Sequence, residues 1–199
     1  MQNKIAIYGA SGHGKVIADI ARSIGYDDIV FIDDGDNDFL TFEDFFKRYQ
    51  KTIPIALGIG ENRIRKIIYD KLKKYGICIK TLIHKSSSVS SLAVIGEGTV
   101  VMPLSVVNAD AFIGKGVILN SSCVIEHDNQ IGDFVHISPN ASLAGNVKVG
   151  EFSHIGIGSS IIQGINIGKN SIVGAGSVVI RDVNDFAKIA GVPATQIGS

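Results

Sequence analysis

Glu126-His127-Asp128 sets an imidazole between two carboxylates. A neutral imidazole takes up a proton near pH 7, and an adjacent carboxylate orients the ring and stabilises its charged form. These residues are candidates for general-base chemistry, with His127 as the base and Glu126 or Asp128 as its orienting partner. A second constellation lies near the N-terminus. There Gly9-Ala10-Ser11-Gly12-His13-Gly14 separates an apolar run, Lys4 to Tyr8, from Val16, Ile17, Ile20, Ala21 and Ile24 at helical spacing. A glycine turn of this kind brings backbone N–H groups close to an anion, and the helix N-terminus adds favourable potential for phosphate. The spacing is GxxGxG, not GxGxxG, which favours a phosphate or nucleotide diphosphate over a nicotinamide dinucleotide. Asp33 and Asp34 end the next apolar run, where carboxylates can accept hydrogen bonds from ribose hydroxyls or a base. A purely structural strand-to-helix turn is the alternative reading of the glycines.

The element that must position His127 is an internal repeat. From Val89 to Val179 every sixth residue is aliphatic, and glycine follows at Gly96, Gly114, Gly132, Gly150 and Gly168, eighteen apart. Six residues make one side and eighteen make one coil, which predicts a three-sided parallel β-helix. The glycines line one corner, where a turn needs positive φ or close backbone approach. Two residues before the aliphatic positions stand mostly small side chains, among them Thr99, Ser105, Cys123, Ala141, Ser153 and Ser171. Strand side chains alternate faces, so these also point inward. About five coils at about 4.8 Å each give a prism roughly 24 Å tall.

Stacking at eighteen residues places His127 between Ala109 and Gly145, Asp128 between Asp110 and Asn146, and His136 under His154. The tiny neighbours of His127 open space beside its ring, which sets it apart from an ordinary polar turn residue. A zinc site needs three converging protein ligands. The gamma-type carbonic anhydrases build one on the same kind of repeat, but their pair of histidines five residues apart is missing here, so no metal is expected.

Ahead of the repeat, strands are expected at Lys4 to Tyr8, Asp28 to Ile32, Pro54 to Ile59 and Ile77 to Ile83, alternating with helices. One helix follows the glycine turn, one is capped at Thr41, and one runs from Arg63 to Tyr75. This alternation predicts a small parallel, Rossmann-like sheet. The expected organisation is an α/β domain over residues 1–82, the β-helix over 83–181, and a tail over 182–199 that leaves the repeat.

Nineteen basic and nineteen acidic residues give zero formal charge, which argues against nucleic acid or a polybasic membrane anchor. No stretch of eighteen apolar residues is present, so no membrane insertion is expected. The opening MQNKIAIYGASGHG reads as strand and turn, not as a signal peptide. Two cysteines, Cys78 and Cys123, do not make a disulfide framework, and a cytoplasmic location is expected. A non-enzymatic ice-binding solenoid calls for rows of outward Thr, and the outward columns here are not Thr-rich.

Taken in order, GASGHG, FIDD, IGENRIR, LIHKS, the hexads with LNSSCVIEHD, and GVPA resemble the sugar O- and N-acetyltransferases of the sialic-acid acetylase type. Within these they are most similar to the bacterial UDP-4-amino-sugar N-acetyltransferases of bacillosamine synthesis. The resemblance covers essentially the whole chain. It implies a left-handed β-helix, a homotrimer, acetyl-CoA as co-substrate in the groove between β-helices, and a nucleotide-sugar acceptor held by the N-terminal domain. It implies acceptor contacts at Ser11, Gly12, His13, Asp33, Asp34, Gly60, Asn62 and Asn120, and catalysis by His127 with Glu126 or Asp128. Donor contacts are implied at His136, Gly145, Gly156, Gly174, Gly191 and Pro193. A GDP-linked amino sugar, or a sugar hydroxyl as in sialic-acid O-acetylation, is the alternative acceptor. Glu61 stands where relatives carry Asn or Asp, and Thr195 where a basic residue is common.

Overall fold

The computed structural model describes residues 3–197. The N-terminal unit runs β1 (Lys4–Tyr8), α1 (Gly12–Ser23), β2 (Asp28–Ile32), α2 (Phe42–Tyr49), β3 (Ile55–Leu57) and α3 (Asn62–Lys74). Its three strands are parallel in the order β2-β1-β3. The chain crosses to one side of β1 and then to the other, so the loops after β1 and β3 flank the point where ligands enter open α/β sheets. Thr41 caps α2 by accepting from the Asp44 N–H at 3.2 Å. Glu61 caps α3 by accepting from the N–H groups of Arg63 and Ile64. Gly9, at φ +110°, and Gly14 and Gly58 touch one another. A β-carbon on Gly58 would stand 2.8 Å from the Gly9 carbonyl oxygen, and one on Gly14 would collide with it.

The expected fourth strand over Ile77 to Ile83 does not form as one piece. Ile79 makes a single parallel bridge to Ile55, whereas Leu82–Ile83 pairs with Val100–Val101 and opens the β-helix.

The β-helix has three faces of eight, six and five strands, all parallel except the final strand of the eight-stranded face. Neighbours on a face are eighteen residues apart, as in Ile118↔His136↔His154. From Val101 onward the inward aliphatic column, including Ile113, Ile125, Ile137 and Ile155, is buried, and Val89 and Ile95 at its start are partly buried. The inward small column is buried too, and its hydroxyls bond the next coil: Thr99 Oγ1 donates to Gly114 O at 2.8 Å and Ser153 Oγ to Gly168 O at 2.7 Å. A hydroxyl there satisfies a backbone carbonyl inside the prism. The corner glycines serve close approach, not positive φ. A β-carbon on Gly132 would stand 2.7 Å from Glu151 N. Positive φ falls two residues later, at Gly98, Gly116, Phe134, Phe152 and Asn170 on that corner.

The repeat runs longer than five coils, since one face alone stacks six strands. At the C-terminal end the ladder continues through Ile167↔Val183 and Val173↔Ile189. These steps are sixteen residues (183 − 167 and 189 − 173) instead of eighteen, so the last coil is two residues short. That shortening hides it from a six-residue period. Lys188–Gly191 then turns back as a hairpin onto Ala194–Gln196.

The N-terminal unit sits on the eight-stranded face. Ile5, Ile7, Ile17 and Ile20 form one buried cluster with Leu82, Val100, Met102 and Ile118. Burying aliphatic side chains of this size stabilises the docking by about 1.5–3 kcal/mol each. The outward column of that face changes from Leu82, Val100 and Ile118, which are covered, to His136 and His154 at the margin of the covered area.

Candidate active site

His127 lies in the turn between the six-stranded and five-stranded faces. Its Nδ1 hydrogen-bonds Asp128 Oδ2 at 2.7 Å. Asp128 occupies the left-handed region at φ +61°, which Asp tolerates better than most residues. Glu126 makes no hydrogen bond to the ring and accepts instead from Asn108 Nδ2 at 2.8 Å. Asp128 is therefore the carboxylate that orients His127. Its hydrogen bond, followed by the charges of Asp128 and Glu126, raises the His127 pKa above the ordinary value of 6.5. With Nδ1–H directed to Asp128, Nε2 is the basic nitrogen. The side chain is 63% exposed on one flank and meets Gly145 on the other, as the stacking predicts. Asn129, fully buried, braces the turn from inside by donating to Glu126 O at 2.7 Å and Ala144 O at 3.0 Å. The sequence signal for it was an amide in the inward column, where other hexads place small or aliphatic residues.

A second cluster gathers where the glycine turn meets the eight-stranded face. Asn120 Oδ1 accepts from Ser121 N at 2.9 Å, which fixes the amide so that Nδ2 donates to His136 Nε2 at 3.1 Å. His136 and His154 pack with ring centroids 4.7 Å apart and planes tilted by 50°, and His154 Nε2 meets Ser138 Oγ at 2.9 Å. Burial, then the nearby His154 and Arg65, push His136 down to about 3. Burial and Arg65 push His13 down to about 4. Both rings are thus neutral at pH 7, and His13 Nε2 is buried without a partner among the described residues. Gly60 lies beside the His13 ring. Ser11 and Gly12 are exposed at the start of α1, and Ser11 makes no side-chain capping bond.

Asp33 accepts from Ala10 N at 2.9 Å and Gly35 N at 3.0 Å, which holds its carboxyl below the usual range and fixes the glycine turn. Asp34 accepts from Phe42 N at 2.7 Å, Lys71 Nζ at 2.9 Å and the Tyr8 hydroxyl. Burial pushes its pKa up, but these donors outweigh that and leave it low. Asp34 is thus first a brace between β1, α2 and α3. Asn62 is 8% exposed and borders a pocket together with Glu61, Arg63 and His154. Its amide is taken up by Phe152 O at 2.9 Å, Ser153 O and Arg65, so it also joins the two units, a role the sequence did not show. Arg65, which the sequence reading passed over, is the larger omission. Its signal was a cation on the buried stripe Asn62, Arg65, Tyr69, Leu72 of α3.

Gly156 packs on the coil above, where a β-carbon would stand 2.5 Å from Val173 O, and Gly174 similarly meets Ala190. Gly191 and Pro193 are exposed in the terminal hairpin. Buried Cys123 has its thiol pushed up to about 12 by burial, which suits packing and not nucleophilic attack. Among the described residues, no group of three or more His, Cys, Asp or Glu side chains converges, and no helix is long and apolar enough to cross a membrane.

The two clusters do not meet within one protomer. His127 lies on the prism edge opposite the eight-stranded face that carries His136, Asn120 and the N-terminal unit.

This architecture defines a class: a Rossmann-like unit docked on one face of a hexapeptide-repeat prism. The PglD N-terminal domain model matches residues 4–72. The acetyltransferase domain of PglB from Neisseria gonorrhoeae, solved with acetyl coenzyme A, is 38% identical with a TM-score of 0.91, over 99% of this chain and 100% of that one. PerB from Caulobacter crescentus, solved with CoA and GDP-perosamine, is 34% identical with a TM-score of 0.93, over 98% of this chain and 97% of that one. The UDP-N-acetylbacillosamine N-acetyltransferase of Bacillus subtilis is 43% identical over 111 residues, 49% of this chain and 50% of that protein. The alignment thus spans half the length of that curated relative. The chain belongs to the hexapeptide-repeat, left-handed β-helix sugar acetyltransferases of the PglD type.

Proposed function

We propose that the chain is an acetyl-CoA-dependent N-acetyltransferase acting on the 4-amino group of a UDP-linked 4-amino-4,6-dideoxy sugar. The observation that carries this reading is the pose of His127, held at Nδ1 by Asp128 and set against Gly145 with Nε2 as the basic nitrogen. A protonated sugar amine cannot attack. Once neutral, its nitrogen attacks the thioester carbonyl carbon while His127 Nε2 takes the remaining surplus proton. The C–S bond then breaks and CoA leaves as the thiol with that proton. General-base help of this kind contributes about 10²–10⁴-fold. The Gly145 N–H donates to no backbone carbonyl among the described residues and is the proposed oxyanion donor. The turn bearing Gly164, on the same prism edge as His127 and Gly145, has open space where a β-carbon would stand, which suits a thin pantetheine arm.

In this reading the acceptor lies in the crevice of Ser11, Gly12, His13, Gly60 and Asn120, on the far side of its own prism from His127. A neighbouring copy must supply the base, which agrees with a homotrimer whose sites lie between subunits. The exposed, unpaired Cys78 suits a reducing compartment such as the cytoplasm.

A GDP-linked amino sugar is the second reading, because PerB binds GDP-perosamine and is similar over nearly the whole chain. Mass spectrometry of UDP- and GDP-linked amino sugars incubated with acetyl-CoA and the protein decides between them. A gain of one acetyl group on the UDP sugar alone supports the first reading. The same gain on the GDP sugar alone establishes the second, and no acetylated product from either defeats both.

A further inference from the structure

Arg65 is 1% exposed on the buried stripe of α3, beside Tyr69 and Leu72. Every hydrogen bond of its guanidinium runs to a neutral acceptor. Nε donates to Gly116 O at 2.6 Å, Nη1 to Ile59 O at 3.1 Å and Gly60 O at 2.9 Å, and Nη2 to Asn62 Oδ1 at 2.8 Å and Phe134 O at 3.0 Å, with a longer contact to Val135 O. A buried cation without a carboxylate partner is expensive, and an apolar side chain would dock the helix at lower cost. The acceptors show what the charge achieves. Ile59 and Gly60 form the crevice loop after β3, while Phe134 and Val135 run directly into His136. Asn62, held by Arg65, donates onward to Phe152 O and Ser153 O, which run directly into His154. One guanidinium–amide pair therefore ties the loop to both coils that bear the paired imidazoles.

We propose that Arg65 is a positioning residue for the acceptor crevice: with Asn62 it sets the Ile59–Gly60 loop in register with His136 and His154, so that His13, His136 and Asn120 line one cavity wall. What the crevice holds rests on the acetyltransferase reading; the geometry does not. Arg65 also acts through its field. The charged and titratable groups facing these rings are Arg65 on α3, His13 on α1, and His136 and His154 on adjacent coils, with Glu61 at the α3 cap opposing Arg65. The cation favours neutral imidazoles that serve as fixed hydrogen-bonding groups.

The test uses the full chain with nitrogen-labelled histidine, read by NMR across pH, alongside steady-state kinetics. In the parent protein His136 is expected to keep one neutral tautomer down to about pH 5, where a solvated imidazole is already protonated. Arg65→Lys keeps the charge but loses the fork. It is expected to raise the nucleotide-sugar KM about tenfold while the acetyl-CoA KM stays within about twofold. Arg65→Gln removes the charge, and His136 and His154 are expected to protonate at higher pH. Asn62→Ser, a milder change, is expected to move the His154 resonances. A role in folding alone would shift no KM selectively and leave the imidazole titrations in place. Folded Arg65→Lys with unchanged KM values and unmoved resonances overturns the proposal. So does a parent His136 that titrates at its ordinary value, a result available even if every variant fails to fold. If the parent acetylates no sugar, the functional reading fails alone and the imidazole titrations still decide the role of Arg65.

Discussion

The His127 ring lies so close to Gly145 that a β-carbon on residue 145 would stand 2.5 Å from its Cε1 and 2.6 Å from its Nε2. The contact joins successive coils, and it explains why an imidazole on an exposed turn can still be held in one pose. Asp128 fixes the ring's rotation from one side, and the bare backbone of Gly145 fixes its tilt from the other. Gly145 has no positive φ, so alanine is compatible with its backbone. Only the ring has to move, and at 63% exposure it can swing into solvent. Gly145→Ala is therefore expected to melt within a few degrees of the parent while kcat falls about 10- to 100-fold. Thermal melting and saturating-substrate kinetics check this. Unchanged kcat would mean the ring works from a different pose.

The acid limb of the rate profile should follow Asp128. The Asp128 hydrogen bond raises the His127 pKa, and a general base must be neutral. Activity is therefore expected to fall as pH drops through that raised value. Asp128→Asn removes the raising charge and shifts the limb to lower pH. Its amide NH2 can also donate to Nδ1 and so favour the wrong tautomer, and the plateau of kcat/KM is expected to drop about 10- to 1,000-fold. Glu126→Gln disturbs a carboxylate already bonded to Asn108, and its plateau is expected to stay within about threefold of the parent. Profiles of kcat/KM against pH distinguish the two carboxylates; equal losses would refute the assignment of Asp128.

Two kinds of glycine in the prism predict different costs. Gly132 packs against the coil above, where a β-carbon would meet Glu151 N at 2.7 Å and Val149 O at 3.0 Å. Backbone cannot step aside as a side-chain tip can. Gly132→Ala is expected to cost about 1–3 kcal/mol as overpacking. Gly164 has open space around it but sits at φ +74°. Gly164→Ala is expected to cost about 1–2 kcal/mol through backbone strain, and Gly164→Asn clearly less, because Asn tolerates the left-handed region. Chemical denaturation of the three variants checks the contrast. Equal effects of Ala and Asn at residue 164 would exclude strain as the cause.

The prism was legible because its period is short and strictly kept, and the stacking of His127 on Gly145 and of His136 on His154 followed from counting eighteen. Local chemistry was legible too, as in the Thr41 cap and the glycine turn. The rest depended on contacts far apart in the chain. Nothing in Glu126-His127-Asp128 shows which carboxylate takes the ring, because the choice is made by Asn108 in the coil below. Arg65 reads as an ordinary helix residue, and Asn62 only as an acceptor contact, until the carbonyls of Phe134 and Phe152 are brought over them. Asp33 and Asp34 read as ligands for a nucleoside, and nothing in the sequence shows that they also brace the unit through Ala10, Phe42, Tyr8 and Lys71. The last coil escaped notice because two missing residues break the period while the core column survives in Val183 and Ile189.

The placement of His127 opposite the proposed acceptor crevice of its own chain makes a prediction about mixtures. If each site takes its base from one protomer and its crevice from the next, then His127→Ala and Asn120→Ala inactivate the same sites through different chains. Each variant alone should be nearly inactive. In hybrids assembled at random from equal amounts, a site is intact only when its base comes from an Asn120→Ala chain and its crevice from a His127→Ala chain. Each condition holds half the time, so activity is expected to recover to about a quarter of the parent level. Refolding or co-expressing the two variants together, then assaying the purified mixture, performs the test. Recovery cannot arise if base and crevice serve the same protomer, because every such site would carry one of the two lesions. Activity no higher than that of the separate variants, in a mixture shown by mass spectrometry to contain hybrids, would confine each site to one chain and contradict the geometry from which the reading starts.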